Sequence, residues 1–286
     1  MTVLFRGVRG ARNALKRVMP LALYDLVRGL WRRARLLLPA VFAARAYPGV
    51  PGRIHNEDYM LASPAQDDLQ RYVAVGLSAM ANIAAALHAG GRDWADVTAC
   101  LDFACGYGRV LRWLAQRIPP GQITACDVDR QAVRFCAAEF GAEPLFSLAD
   151  FRAVTFPRRY DLILVGSLFT HLPIARGRDL LAVLAETTAP AGLLIFTTQG
   201  ESCLDRLASY GPEFAGLEPA FREGVAGDGA YFAPYRGGEG MGIAIHRRDH
   251  LRQYVQAQFA PSLRLVHFVP AGWDDHQDVW AWQRIA

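Results

Sequence analysis

The chain has 286 residues, 52% of them apolar, with a formal net charge of +4 and five cysteines. That is enough apolar residue for one large domain plus an appendage. The charge argues against a broad nucleic-acid groove, because residues 1–46 alone carry +9 and leave −5 for the rest. The cysteines (Cys100, Cys105, Cys126, Cys136, Cys203) form no C-x-x-C pair and no zinc spacing, which fits a reducing compartment.

The basic N-terminal stretch is patterned. From Leu21 to Leu38, Asp25, Arg28, Arg32, Arg33 and Arg35 fall on one side at helical spacing, and Leu23, Leu26, Val27, Leu30, Ala34, Leu37 and Leu38 on the other. The apolar run Leu36–Ala44 is too short to cross a bilayer, which needs about 20 residues. Two readings stay open: peripheral contact of residues 1–46 with an anionic membrane face, or packing on the protein's own domain or a partner. Localisation is expected to be cytoplasmic, at the inner face of the membrane if the first reading holds.

Pro48-Gly49-Val50-Pro51-Gly52 reads as a linker, so the division is 1–52 tail and 53–286 domain. A helix is expected from a Ser63-Pro64-Ala65-Gln66 cap to about Leu87, ending at Gly90-Gly91. A strand follows over Val97–Phe103. It carries Asp102, then turns at Ala104, Gly106 and Gly108 into a helix over Arg109–Arg117. Glycines there let backbone N–H groups approach a ligand with no Cβ in the way. A second strand over Ile123–Cys126 ends at Asp127-Val128-Asp129, before a helix over Arg130–Phe140. Further strands are expected at Pro144–Leu148 (before Asp150 and Phe151), from Tyr160, and after Pro190-Ala191-Gly192. Two more are expected at Leu263–Val269 and Val279–Ile285.

This order of motifs resembles the class I S-adenosylmethionine (SAM) dependent methyltransferases, strongly over residues 97–199. The resemblance implies a doubly wound α/β fold with a mostly parallel seven-stranded sheet, an antiparallel C-terminal strand and an N-terminal helical extension. It implies SAM as cofactor, held by Asp102, Ala104, Gly106, Gly108, Asp127, Val128, Asp150, Phe151 and Ser167. Ala104 and Ala191 stand where the family usually has glycine. The rival, a dinucleotide-binding unit, wants a third glycine where Leu111 stands and has no use for Asp102.

Ligands of such a sheet bind beyond the carboxyl ends of its strands. His171, Gln199, His276 and Asp278 are expected to converge there, with Tyr59, Arg71 and Tyr72 contributed by the preceding segment. His171 and His276 are the candidate catalytic bases, and Asp278 the orienter or second base. A metal site from Asp275, His276 and Asp278 is a weaker alternative, and no metal is expected. Residues 200–262 are read as a substrate-side lid, since nine of the chain's 26 glycines fall within 211–242 beside Tyr231, Phe232 and Tyr235. The expected function is O-methylation of a hydroxylated small molecule or a glycan or lipid-linked sugar, with no nucleic acid as partner. The alternatives are a non-catalytic SAM-binding scaffold, or methylation of protein or nucleic acid.

Overall fold

Short apolar runs separated by polar and glycine-bearing turns assemble one sheet in the computed structural model, which describes residues 47–61, 66–211, 213–237 and 240–285. The basic helix of the tail and the Ser63 cap therefore lie outside the described residues. The strands are β1 (Cys100–Phe103), β2 (Ile123–Asp127), β3 (Glu143–Phe146), β4 (Tyr160–Val165), β5 (Thr188–Gln199), β6 (Ala230–Pro234), β7 (Gly242–His246), β8 (Leu263–Trp273) and β9 (Gln277–Arg284). The helices are α1 (Gln66–Ala89), α2 (Leu111–Leu114), α3 (Arg130–Phe140), α4 (Ile174–Thr187), α5 (Leu207–Tyr210), α6 (Glu218–Gly227) and α7 (Arg248–Phe259).

Strands β3-β2-β1-β4-β5 lie side by side and parallel. β9 runs antiparallel to β5 from Leu193↔Gln283 to Gln199↔Gln277, and β8 lies outside β9. These seven are the expected sheet. The β6–β7 hairpin raises the count to nine, joining through a parallel bridge between Gln199 and Ile245. Its short strands sit in a glycine-rich stretch, pair chiefly with each other, and are fixed to the sheet by partners remote in sequence. The N–H groups of Gly242 and Ala244 donate to the carbonyls of His171 and Thr170.

β1 is buried along its whole length and β4 at all but one residue, as strands covered on both faces must be. α1, α2 and α3 cover one face over Cys100, Leu162, Leu164 and Ile195. α4 and α7 cover the other over Leu101, Phe103, Ile163 and Phe196. α1 is long and apolar enough to cross a membrane, but half of that stretch is buried within the protein. The insertion after β5 has a small core of its own, including Cys203, Phe214, Phe221, Ile243 and Ile245.

Local signals place the elements around the cleft. Asp129 caps α3 by accepting from the N–H groups of Gln131 and Ala132, and Gly141 ends it at φ +70°. Such a cap is worth about 1 kcal/mol. The helix expected over Arg109–Arg117 is α-helical only across Leu111–Leu114. Tighter i→i+3 bonds, such as Gln116 N–H to the Trp113 carbonyl, take over at its end. The register Gln199↔Gln277 brings the β8–β9 loop to the carboxyl end of β5, beside the turns after β1, β2 and β4.

Candidate active site

The floor of the cleft is the β1 turn. Ala104, Gly106 and Gly108 all have positive φ (63°, 50° and 78°). A Cβ on Gly106 would meet nothing within 4 Å, so its open side faces the cleft, whereas one on Gly108 would strike the Phe140 ring of α3. Gly108 is therefore needed for packing and Gly106 for approach. Ala104 and Ala191 (φ 59°), the two departures from the family pattern, both keep the left-handed conformation. That costs a non-glycine residue roughly 1–2 kcal/mol.

Two acids flank this turn. Asp127, after β2, accepts from the Gly106 N–H (2.8 Å) and the Asp129 N–H (2.9 Å), one on each oxygen. Burial raises its carboxyl pKa, and those backbone donors pull it back. Asp102 is 4% exposed, and its Oδ2 has no hydrogen-bond partner among the described residues. Burial first, then the charge of Asp127, pushes its pKa up to about 7.

Beyond Asp127, Val128 is 71% exposed and Leu148, after β3, is 45% exposed, apolar surfaces left open beside the turns. Phe151, expected at the cofactor, is 7% exposed. Its ring is buried against Phe103, and its neighbour Asp150 caps the short turn by accepting from the Arg152 N–H.

The roof comes from the segment before α1, from α1 itself and from the β8–β9 loop. Tyr59 is largely exposed by area, and desolvation by its surroundings first, then the nearby charge of Asp127, raises its hydroxyl pKa. Tyr72 is instead buried, donating to Asp58 Oδ2 (2.8 Å) and accepting from Arg112, so its role is structural. Arg71 pairs with Asp274 at 2.9 Å, latching α1 to the β8–β9 loop. Asn82 and Ser78 also hold the Gly272 carbonyl there.

The far wall is a side-chain network. Gln277 Oε1 accepts from Thr197 (2.7 Å) and from Ser167 (3.0 Å), and Thr197 Oγ1 accepts from the Ser167 N–H. Ser167, expected at the cofactor, is thereby tied to β5 and β9, with φ 61°. The Gln277 amide donates to His276 Nε2 (3.3 Å), and His276 Nδ1–H donates to the Asp274 carbonyl (2.7 Å). His171 Nδ1 lies 3.0 Å from the Gly242 carbonyl and 2.8 Å from the Tyr235 hydroxyl, under the β6–β7 hairpin. A carbonyl can only accept, so the proton sits on Nδ1 and Nε2 keeps its lone pair. Burial lowers the His171 pKa, the bond to the Gly242 carbonyl partly opposes this, and nearby His276 adds a smaller lowering.

The structure brings His171 and His276 together but not Asp278. That carboxylate is fully buried and gripped by Arg248 (2.7 and 2.9 Å) and by the Ala271 N–H. It orients neither imidazole, and it is spent as a ligand in the alternative metal set. Gln199 is buried at the end of β5 opposite Gln277, with Oε1 lacking a partner among the described residues. Sequence reasoning missed the Thr197–Gln277–Ser167 linkage. A polar residue in the last turns of β5 and the first of β9 was the available signal for the linkage.

Residues 100–192 match the family model described as a methyltransferase domain. Among solved structures, the chain is similar to a magnesium protoporphyrin IX methyltransferase from Synechocystis PCC 6803 with bound S-adenosylhomocysteine. Identity is 16% over 76% of this chain and 87% of that one, with a TM-score of 0.51. It is also similar to the N-methyltransferase NodS from Bradyrhizobium japonicum WM9 in complex with S-adenosylhomocysteine, at 13% identity, 80% and 93% coverage and a TM-score of 0.48. No curated protein matches by sequence. The fold is that of the class I methyltransferases. Residues 100–192 are thus a methyltransferase domain by sequence, set in that fold.

Proposed function

We propose that the protein transfers the methyl group of SAM to a hydroxyl oxygen of a small molecule or glycan, with His171 taking the proton. The observation that carries this reading is the state of the His171 ring. Its Nδ1–H is spent on fixed partners, burial keeps the ring neutral, and Nε2 has no hydrogen-bond partner among the described residues.

The residues at the strand ends fit SAM. The unpartnered Asp102 oxygen suits an ammonium, and Asp127 retains acceptor capacity for ribose hydroxyls beyond its two backbone donors. Val128 and Leu148 offer apolar faces for a purine, and Gly106 leaves room for close approach. When bound, SAM supplies an activated methyl group, so the acceptor oxygen gains that carbon and S-adenosylhomocysteine leaves. The chain's own task is to hold the acceptor in line, exclude water and receive the hydroxyl proton at His171 Nε2. Gln277 keeps His276 in one tautomer beside it, and the Arg71–Asp274 latch closes the roof.

The test is incubation with methyl-labelled SAM and fractionated cell extract. Label in the small-molecule, glycan or lipid fraction, stable to mild base as an ether is, supports O-methylation. Label in protein or nucleic acid, or SAM binding with no transfer, overturns it. We extend the reading to the cytoplasm, with residues 1–46 as a membrane contact. Liposome co-sedimentation that survives deletion of 1–46 removes that extension.

A further inference from the structure

A second cleft lies between α4, α7 and the ends of β5 and β7, behind the wall formed by residues 167–171. Strand alternation turns it away from the active site. Thr197 reaches Gln277 on one side of β5, whereas its neighbour Thr198 lines the second cleft and accepts from the Trp280 indole N–H. Phe169, Leu181 and Phe196, all buried or packed in the core under α4 and α7, make an apolar floor. The rim has the opposite character. Arg178 of α4, His246 at the end of β7 and His250 of α7 stand round it, and no carboxylate lines it among the described residues.

None of these three side chains has a hydrogen-bond or ion-pair partner among the described residues. The carboxylates next to them along the chain are taken, Asp179 by Arg152 (2.8 Å) and Asp249 by Arg247 (2.7 Å). Arg178 lies over the Tyr254 ring, 4.5 Å from its centroid, which holds the guanidinium at the mouth. Burial, then the charges of Arg178 and His250, push the His246 pKa down to about 4, so that ring hydrogen-bonds as a neutral group while Arg178 supplies permanent charge. A fixed guanidinium matches a carboxylate best, and the floor matches an apolar body. Even counted out to its open mouth the empty space is about 440 Å³, which limits that body to one ring or a short chain. The chain's own basic segment, residues 1–46 at +9, has the wrong charge for this rim. We propose that the cleft binds a small monocarboxylate, its head at Arg178 and the two imidazoles and its ring or chain on Phe169 and Phe196. This site is separate from the methyl-transfer cleft and does not depend on the reading given to it.

The experiment is calorimetric titration of the full chain with benzoate, phenylacetate and hexanoate, each against its uncharged amide. Wild type should bind at least one acid tenfold or more tighter than the matching amide. Arg178→Gln, a change at an exposed position, should abolish that preference while leaving the amide's affinity unchanged. Leu181→Trp, which fills the floor, should weaken acid and amide alike, and its melting temperature shows whether it is folded; if it is not, the Arg178 comparison decides alone. Saturating S-adenosylhomocysteine should leave the acid bound. The proposal is overturned if no acid binds more tightly than its amide, or if the preference survives Arg178→Gln. It is equally overturned if S-adenosylhomocysteine displaces the acid, which would place the ligand in the methyl-transfer cleft.

Discussion

The two halves of the cleft are built from different materials. On the cofactor side the determinants lie close together in sequence, and much of the work is done by the main chain. Three alternate positive-φ positions, Ala104, Gly106 and Gly108, and a carboxylate holding two N–H groups set the shape between residues 102 and 129. On the side where the proposed function places the acceptor, residues 30 to 110 positions apart are joined through side chains: Ser167 to Thr197 and to Gln277, Thr197 to Gln277, Arg248 to Asp278. A backbone-built site tolerates side-chain change and accepts a constant ligand. A side-chain network can be rewired one residue at a time, which suits the part of an enzyme that chooses its acceptor.

The largest expected effect lies on the acceptor side. His171→Ala should lower turnover by about 10²–10⁴-fold, the usual worth of a positioned base, while SAM affinity stays within a factor of two. His276→Ala should cost less, because Gln277 already occupies its Nε2. Steady-state rates with separate SAM titrations measure both. Equal losses in the two variants, or a shared loss of SAM affinity, would break the division between the halves.

Next comes Arg248→Ala, which strands the fully buried Asp278 carboxylate. The expected destabilisation is about 3–5 kcal/mol, read by urea denaturation. Replacing both partners by apolar residues, Arg248→Met with Asp278→Leu, should recover most of it. Persistence of the full loss in the double variant would show that the pair does more than neutralise itself.

On the cofactor side, Asp127→Ala removes an acceptor from charge-assisted bonds worth roughly 1.5–3 kcal/mol. SAM affinity should fall about tenfold or more, by calorimetry, with the circular dichroism spectrum unchanged. Unaltered affinity would take the ribose away from this residue.

The legibility of the chain follows the same division. Helix Arg130–Phe140 could be read from its sequence because its stop signals are local: Asp129 before it and Gly141 after it. The strands from Ile123 and Leu263 likewise start where short apolar runs predict. The β6–β7 hairpin was not legible, since the residues that fix it include Thr170 and His171, some 70 positions upstream. The packing of Phe151 was not legible for a related reason. Which side of a turn an aromatic ring takes is decided by the hole beside Phe103, which no local pattern encodes. Asp278 was read as an orienter because it follows His276 closely, but alternation along β9 points it away, toward Arg248.

The last test sharpens the comparison most, because it concerns a buried carboxyl oxygen on the cofactor side, Asp102 Oδ2, that lacks a hydrogen-bond partner among the described residues. The Asp102 carboxyl titrates at about 7 in the folded protein against an ordinary 3.8. Between those values the native state holds a proton that the unfolded chain has lost. The stabilising contribution of this group is therefore present below about pH 4 and drains away as the pH rises to about 7. Asp102→Asn cannot ionise, so its stability should lack that fall. Without cofactor the variant should match wild type only below about pH 4, already melt higher at pH 5, and hold its widest margin from about pH 7 to 8. Adding SAM reverses the advantage for wild type alone, since an ammonium against Asp102 favours the carboxylate and rewards the deprotonated form. Melting curves from pH 5 to 8, with and without SAM, read both signs. Parallel curves for the two proteins would mean that Asp102 is already charged and satisfied, and that the cofactor side, like the acceptor side, is closed by side-chain partners.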